Sequence, residues 1–287
     1  MLKHLLVPMT GLPADRAALT AALGLARAFD AHVDALFIRQ HPADAVPLLG
    51  EGMSGAMIDD IVRAAEAETN LLQEAARRLF EALLVEHEVP AADVPPEAPG
   101  PTAAWRETVG RPDEMAALEG RLADLIVLPH CGDDPNGRLT LAAETALLDS
   151  GRPILLAPAT TPTEIGRRIA IAWNGGAESA RAVAGAMPFL HAAEAVTVLT
   201  AETHATPSTA AARLAQHLAW HRTQVRVQVV HPGADAVGHA LLSSAKADGC
   251  DLLVLGGYGH SRMREMILGG VTRYMLTHAD IPVLMAH

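Results

Sequence analysis

The sequence predicts an α/β fold built from two tandem domains, each with a parallel sheet of about five strands and helices on both faces. Three observations carry this expectation. Short runs rich in Val, Ile and Leu alternate with segments of helical periodicity, and such near-continuous apolar strands need burial on both sides, which a parallel sheet between helices provides. The same series of runs occurs twice along the chain. At 287 residues, half of them apolar, the chain is also about twice the commonest domain length and can bury two cores.

In order, "HLLVPMTG" (His4 to Gly11) reads as the first strand with its turn, "ADRAALTAALGLARAFD" as a helix and "VDALFI" (Val33 to Ile38) as the second strand. "HPADAVPLLGEGMSGAMIDD" (His41 to Asp60) lacks a counterpart in the second half and is the natural place for one large insertion. "EAETNLLQEAARRLFEALLVEHEV" is an amphipathic helix whose charged outer face needs no partner. "ADLIVLP" (Ala123 to Pro129) and "RPILLAP" (Arg152 to Pro158) are the closing strands of the first half. The Pro/Thr-rich "PATTPTEIGR" (Pro158 to Arg167) has no apolar periodicity and reads as the joint, giving domains at 1–158 and 168–287. Beyond it, "RIAIAWNG" (Arg168 to Gly175), "VTVLTA" (Val196 to Ala201), "CDLLVLG" (Cys250 to Gly256) and "IPVLMAH" (Ile281 to His287) repeat the strands, with "SARAVAGAMPFLHAA" and "VTRYMLTH" among the helices.

Composition narrows the function. A formal net charge of -11 argues against nucleic acid as a partner, because phosphate backbones are bound by basic surface. No apolar run approaches the roughly 20 residues that span a bilayer, and the start of the chain lacks the features of a signal peptide. Cys131 and Cys250, one in each half, do not make a disulfide framework. A cytoplasmic protein without a membrane partner is expected. Motifs for a nucleophile elbow, a zinc protease or a lysine-bearing phosphate loop are missing, and the two lysines, Lys3 and Lys246, lie away from the glycine-rich stretch.

That stretch, "LGGYGHSRMREMILGGVTRYML", sets Gly256, Gly259 and Gly269 in a G-x2-G-x9-G pattern between a strand and a helix. Ligands of open parallel sheets bind outside the carboxyl ends of the strands, where strand order reverses. The first N–H groups of a helix are unpaired and carry partial positive charge, so glycines before them suit a phosphate. Gly270 and Val271 open that helix, Thr272 offers a hydroxyl in its first turn, and Arg262 and Arg273 offer charge-assisted contacts. The alternative is a surface loop that keeps its glycines for turns. His260 reads either as a phosphate contact or as a solvated loop residue. Trp173, at the end of a strand beside the loop, either stacks on a base or packs against the adjacent helix.

Taken together, the tandem repeat, "AWNGGAESARA", "GGYGHSR", "ILGGVTRYML" and the terminal "ADIPVLMAH" resemble the universal stress protein family in its tandem two-domain form. The resemblance covers essentially the whole chain and is stronger in the second half. It implies flavodoxin-like/Rossmann-like domains and a stress-response regulator or sensor. It further implies ATP, with Mg, held through the G-x2-G-x9-G loop of the second half. Gly256, Gly259 and Gly269 match that pattern; Gly270 stands where the family has Ser or Thr, Thr272 matches a second hydroxyl position, and Asn174 replaces an Asp near the adenosine. Enzymatic activity beyond slow ATP hydrolysis is not implied. Members pair through their last strands, so an intramolecular pseudo-dimer of "PILLAP" with "PVLMA" is expected, with a homodimer of whole chains left open. In the first half, Pro129 stands opposite Gly256 and Leu141 opposite Gly270, with Gly132 left from the pattern, so one nucleotide per chain is expected. The competing reading is a structural or interaction protein whose loop is empty. His130, Cys131, Asp133 and Asp134 lack metal-ligand spacing and read as a polar turn.

Overall fold

The computed structural model describes residues 1–41, 54–132, 134, 136–160, 162, 164–201, 209–221, 223–232, 236–259 and 270–287. In the first half, strands β1 (His4–Met9), β2 (His32–Arg39), β3 (Thr102–Val109), β4 (Leu125–Pro129) and β5 (Ile154–Ala157) alternate with helices α1 (Asp15–Phe29), α2 (Gly55–His87), α3 (Pro112–Gly120) and α4 (Arg138–Asp149). The second half repeats the series. Its strands are β6 (Arg168–Ala172), β7 (Ala195–Ala201), β8 (Val225–Val230), β9 (Leu252–Gly256) and β10 (Val283–Ala286), and its helices α5 (Ala177–Ala192), α6 (Thr209–Trp220), α7 (Val237–Ala247) and α8 (Val271–His278).

Each half is a parallel five-stranded sheet, ordered β3-β2-β1-β4-β5 and β8-β7-β6-β9-β10. The two join into one ten-stranded sheet because β5 and β10 pair antiparallel, Leu155 facing Leu284 with Leu156–Val283 and Ile154–Met285 on either side. The period-2 alternation of strands decides what each residue packs against. Leu5, Val7, Val127, Leu155, Ile169, Val254 and Leu284 face one way into a core completed by α1, α2, α5 and α6. Their neighbours Ile126, Leu128, Leu156, Ala170, Leu253 and Met285 face a second core under α4, α7 and α8, while α3 covers Leu6 and Leu36.

The extra length of the first half is not confined to the stretch proposed for it. Residues 42–53 lie outside the described ones, and Gly55 to Asp60 already belong to α2. That helix has 33 residues against 12 in its counterpart α6, so much of the addition is helix. Residues 88–101 before β3, against 221–224 before β8, take up another part. The sequence concealed this because a long amphipathic helix and a short one share the same period. Buried Asp15 fixes the turn after β1: its carboxylate accepts from the Thr10 and Gly11 backbone N–H groups at 2.8 and 2.7 Å and from the Thr10 hydroxyl at 2.7 Å.

Candidate functional site

Strand order reverses between β6 and β9, so the crevice of the second half opens where those strands end. A cavity of about 260 Å³ occupies it, and Trp173, Asn174, Gly256, Gly259, Val271 and Thr272 all line it. Gly270 precedes α8 as its N-cap, with φ −59° and ψ 163°, a conformation open to any L-residue. His260, Arg262 and Gly269 lie outside the described residues. Leu199, Ala201, Val237, Leu241 and Leu255 supply an apolar wall. Trp173 packs against the α5-side core while lining the cavity, and its indole N–H is buried without a hydrogen-bond partner among the described residues.

The glycines admit protein atoms as well as leaving space. A Cβ on Gly256 would stand 2.5 Å from the Glu178 Cγ and from the Ser179 backbone nitrogen, and one on Gly259 or Gly176 would stand 2.1 Å from Glu178 Oε1. Gly176 and Gly259 therefore stand against the carboxylate, and Gly256 against the stem and backbone, of the glutamate that the first turn of α5 buries beside the crevice. Glu178 is 7% exposed and accepts a 3.0 Å hydrogen bond from Asn174 Nδ2. Asn174 Oδ1 in turn accepts from the Gly176 backbone N–H at 2.8 Å and from the Ser179 hydroxyl at 2.5 Å. Asn174 thus ties the turn after β6 to the helix that follows it. Thr272 is engaged too, its hydroxyl accepting from the Tyr258 backbone N–H at 3.0 Å.

Gly257 serves contact between the halves: a Cβ there would stand 2.6 Å from Leu147 Cδ2 on α4. Beside it, the Tyr258 hydroxyl bonds the Glu144 carboxylate of the same helix. The polar turn after β4 also reaches across. The Cys131 backbone N–H donates to the Leu276 carbonyl at 3.2 Å, and His130 Nε2 lies 3.0 Å from the Met275 carbonyl. Burial pushes the Cys131 thiol up to about 11, so at neutral pH it packs as an uncharged group; Asp133 lies outside the described residues.

Sequence reasoning missed Glu178 and Ser179. An acidic residue in a first helical turn is ordinarily accounted for by the helix dipole. The signal available was the turn "NGGAES" itself, in which Asn174 and Glu178 flank two glycines.

The first half keeps a cleft at the corresponding place, about 660 Å³, with Pro129 and Leu141 among its lining. Helix α4 has 12 residues against 8 in α8, and the extra turn at its start contains Leu141. Where α8 begins behind Gly270, α4 is already helical.

Residues 166–287 match the family model described as the universal stress protein family. The whole fold is similar to a universal stress protein from Archaeoglobus fulgidus DSM 4304, at 16% identity and TM-score 0.68, over 99% of this chain and 95% of that one. It is also similar to a functionally unknown protein from Pseudomonas aeruginosa PAO1, at 17% identity and TM-score 0.54, over 99% and 92%. Identities this low speak for the fold alone. None of the curated proteins matches the sequence.

Proposed function

From the premise that residues 166–287 form a universal stress protein domain, we propose that the chain is a cytoplasmic stress-response regulator or sensor that binds an adenine nucleotide in its second half. The observation that supports this most is convergence: Trp173, Asn174, Gly256, Gly259, Val271 and Thr272, distant in sequence, line one crevice at the switch point of the sheet. In this reading the base enters between the apolar wall and Trp173. The phosphates lie toward the start of α8, where unpaired backbone N–H groups favour negative charge. Glu178 then lies buried behind the glycines near the phosphates, and magnesium brought with ATP would offset the like charge, phosphate oxygens being hard ligands that it prefers. Residues 1–158 contribute no nucleotide site of this type, with Pro129 and Leu141 in the matching places, and form with residues 168–287 an intrachain pseudo-dimer.

The second reading is an interaction protein of the same fold without a nucleotide. The crowding of Gly256 and Gly259 by Glu178, and of Gly257 by Leu147, favours it, since that packing needs the glycines whether or not a ligand binds. Calorimetric titration with ATP and AMP, with and without magnesium, separates the two. One ATP per chain, lost in Gly269→Leu, supports nucleotide binding; heat absent at millimolar ATP supports the interaction protein. Gly270→Ser adds a hydroxyl at a backbone position that accepts it, and tightens ATP more than AMP if the start of α8 faces the outer phosphates.

A further inference from the structure

At the amino ends of their own half's strands, three strands of the first half begin side by side, so that His4 on β1 is in register with His32 on β2, and His32 with Thr102 on β3. Asp34 follows His32 by two residues and lies on the same face of β2. Both imidazoles turn Nε2 toward its carboxylate, His4 at 2.9 Å from Oδ2 and His32 at 3.2 Å from Oδ1. The other nitrogen of each ring is anchored elsewhere, His4 Nδ1 at 3.2 Å from the Leu122 carbonyl and His32 Nδ1 at 2.8 Å from the Thr102 hydroxyl. One potential ligand atom from each of the three residues lies within 4.8 Å of the others. Asp34 is 5% exposed, and a cavity of about 840 Å³ opens over the cluster, bounded by residues 93–100.

We propose that His4, His32 and Asp34 form a binding site for a divalent transition metal of the zinc class, with its remaining coordination position open to the cavity. Two imidazole nitrogens and one carboxylate oxygen suit zinc better than magnesium or calcium, which prefer oxygen throughout. The Leu122 carbonyl accepts a hydrogen bond and therefore calls for a proton on His4 Nδ1. His4 then holds a second proton on Nε2 toward Asp34, and a metal ion would take that proton's place between the ring and the carboxylate. Ligand atoms about 2.0–2.2 Å from one ion, at angles near 90–110°, stand roughly 2.9–3.4 Å apart; each ring already lies at such a distance from one of the two Asp34 oxygens, and one ligand atom from each residue within 4.8 Å of the others leaves a small inward shift for an ion to complete.

Arg106 supplies the outer support. Its guanidinium donates to Asp34 Oδ2 at 2.9 Å and also pairs with Glu119 at 3.3 Å, orienting the carboxylate as residues behind metal ligands do. Asp30, Asp93 and Glu97 on the cavity wall counter the charge an ion would add beside Arg106. None of this rests on the nucleotide reading, because the cluster lies in the other half and at the other end of the strands.

The test uses the full chain, stripped with chelator and titrated with zinc chloride, and separately with cobalt chloride. One zinc per chain is expected to bind most tightly. Cobalt is expected to give the intense visible bands of a four- or five-coordinate ion, and His4→Gln and His32→Gln each to weaken zinc at least tenfold. Zinc is also expected to raise the melting temperature of the wild type more than that of either variant. X-ray absorption of the zinc-loaded wild type needs no variant to fold and is expected to count two imidazoles. Zinc affinity unchanged in the His4→Gln/His32→Gln double variant, weak six-coordinate cobalt bands, or fewer than two imidazoles at the metal would overturn the proposal and leave the cluster as a hydrogen-bonded pin between strands.

Discussion

At Glu178, Gly176, Gly259 and the Asn174 amide hold a buried carboxylate beside the crevice where the sequence resemblance implies phosphates. An anion arriving there meets a like charge in a partly desolvated place, where such pairs interact more strongly than in bulk water. Glu178→Gln keeps the shape and removes the charge. It is expected to tighten magnesium-free ATP about tenfold, equivalent to roughly 1.4 kcal/mol, and to shrink the gain from added magnesium; isothermal titration of both proteins with and without EDTA measures it. Equal affinities would mean that the phosphates do not approach this residue. Asp15 is the buried acid at the corresponding turn of the first half, fully buried. Desolvation raises its carboxyl from 3.8 to about 6, against the lowering effect of its bonds with Thr10 and Gly11. Above pH 6 it is ionised in both folded and unfolded chains and the burial penalty is present in full. As pH falls from 6 toward 4 the folded chain takes up the proton first, so this group adds stability on acidification, about 3 kcal/mol for a shift of some two units. Urea unfolding of wild type and Asp15→Asn at pH 7.5 and 4.5 should therefore show a larger deficit for the variant at pH 4.5; a deficit independent of pH would refute the shift.

Among the elements, α4 and the segment after β9 hold the halves together beside the β5–β10 pair. Leu147 is fully buried against Gly257, and Tyr258 bonds Glu144 one turn away. Gly257→Ala puts a methyl 2.6 Å from Leu147 Cδ2 and is expected to cost about 1–3 kcal/mol by overpacking. Leu147→Ala alone should cost about 2–5 kcal/mol through its cavity. The double variant should be less destabilised than the sum, since the new methyl enters the space that the leucine leaves. Additive losses in thermal or denaturant unfolding would show that the two residues do not meet. The glycine spacing was legible in the sequence, but its tenants were not: Glu178 and Leu147 are 79 and 110 residues from Gly257 along the chain, and periodicity carries no information over such separations.

For the molecule as a whole, the antiparallel β5–β10 contact turns two edge strands into interior ones and leaves β3 and β8 as the outer edges. Exposed strand edges with unpaired backbone groups invite association. Severing the chain within residues 158–167 and expressing the halves separately should yield pieces that bind one another or precipitate, as judged by co-purification and light scattering. Two monomers stable at high concentration would show that the edges need no cover.

The sequence by itself determined the alternation of strands and helices, the repeat, and a crevice at the ends of β6 and β9, because these follow from local periodicity and from the limited ways parallel strands connect. Trp173, Gly256, Val271 and Thr272 could be nominated from it because each stands at the end of a strand or the start of a helix, Gly259 from the glycine spacing, and Asn174 from the family resemblance. The tertiary structure decided the rest. Which residues fill the space over the glycines depends on how α4 and α5 pack. That His4, His32 and Asp34 meet depends on the register of β1 against β2 and β3, a one-residue slip of which would turn the rings to opposite faces. Such contacts are set by the fit of whole elements, and no single segment encodes them.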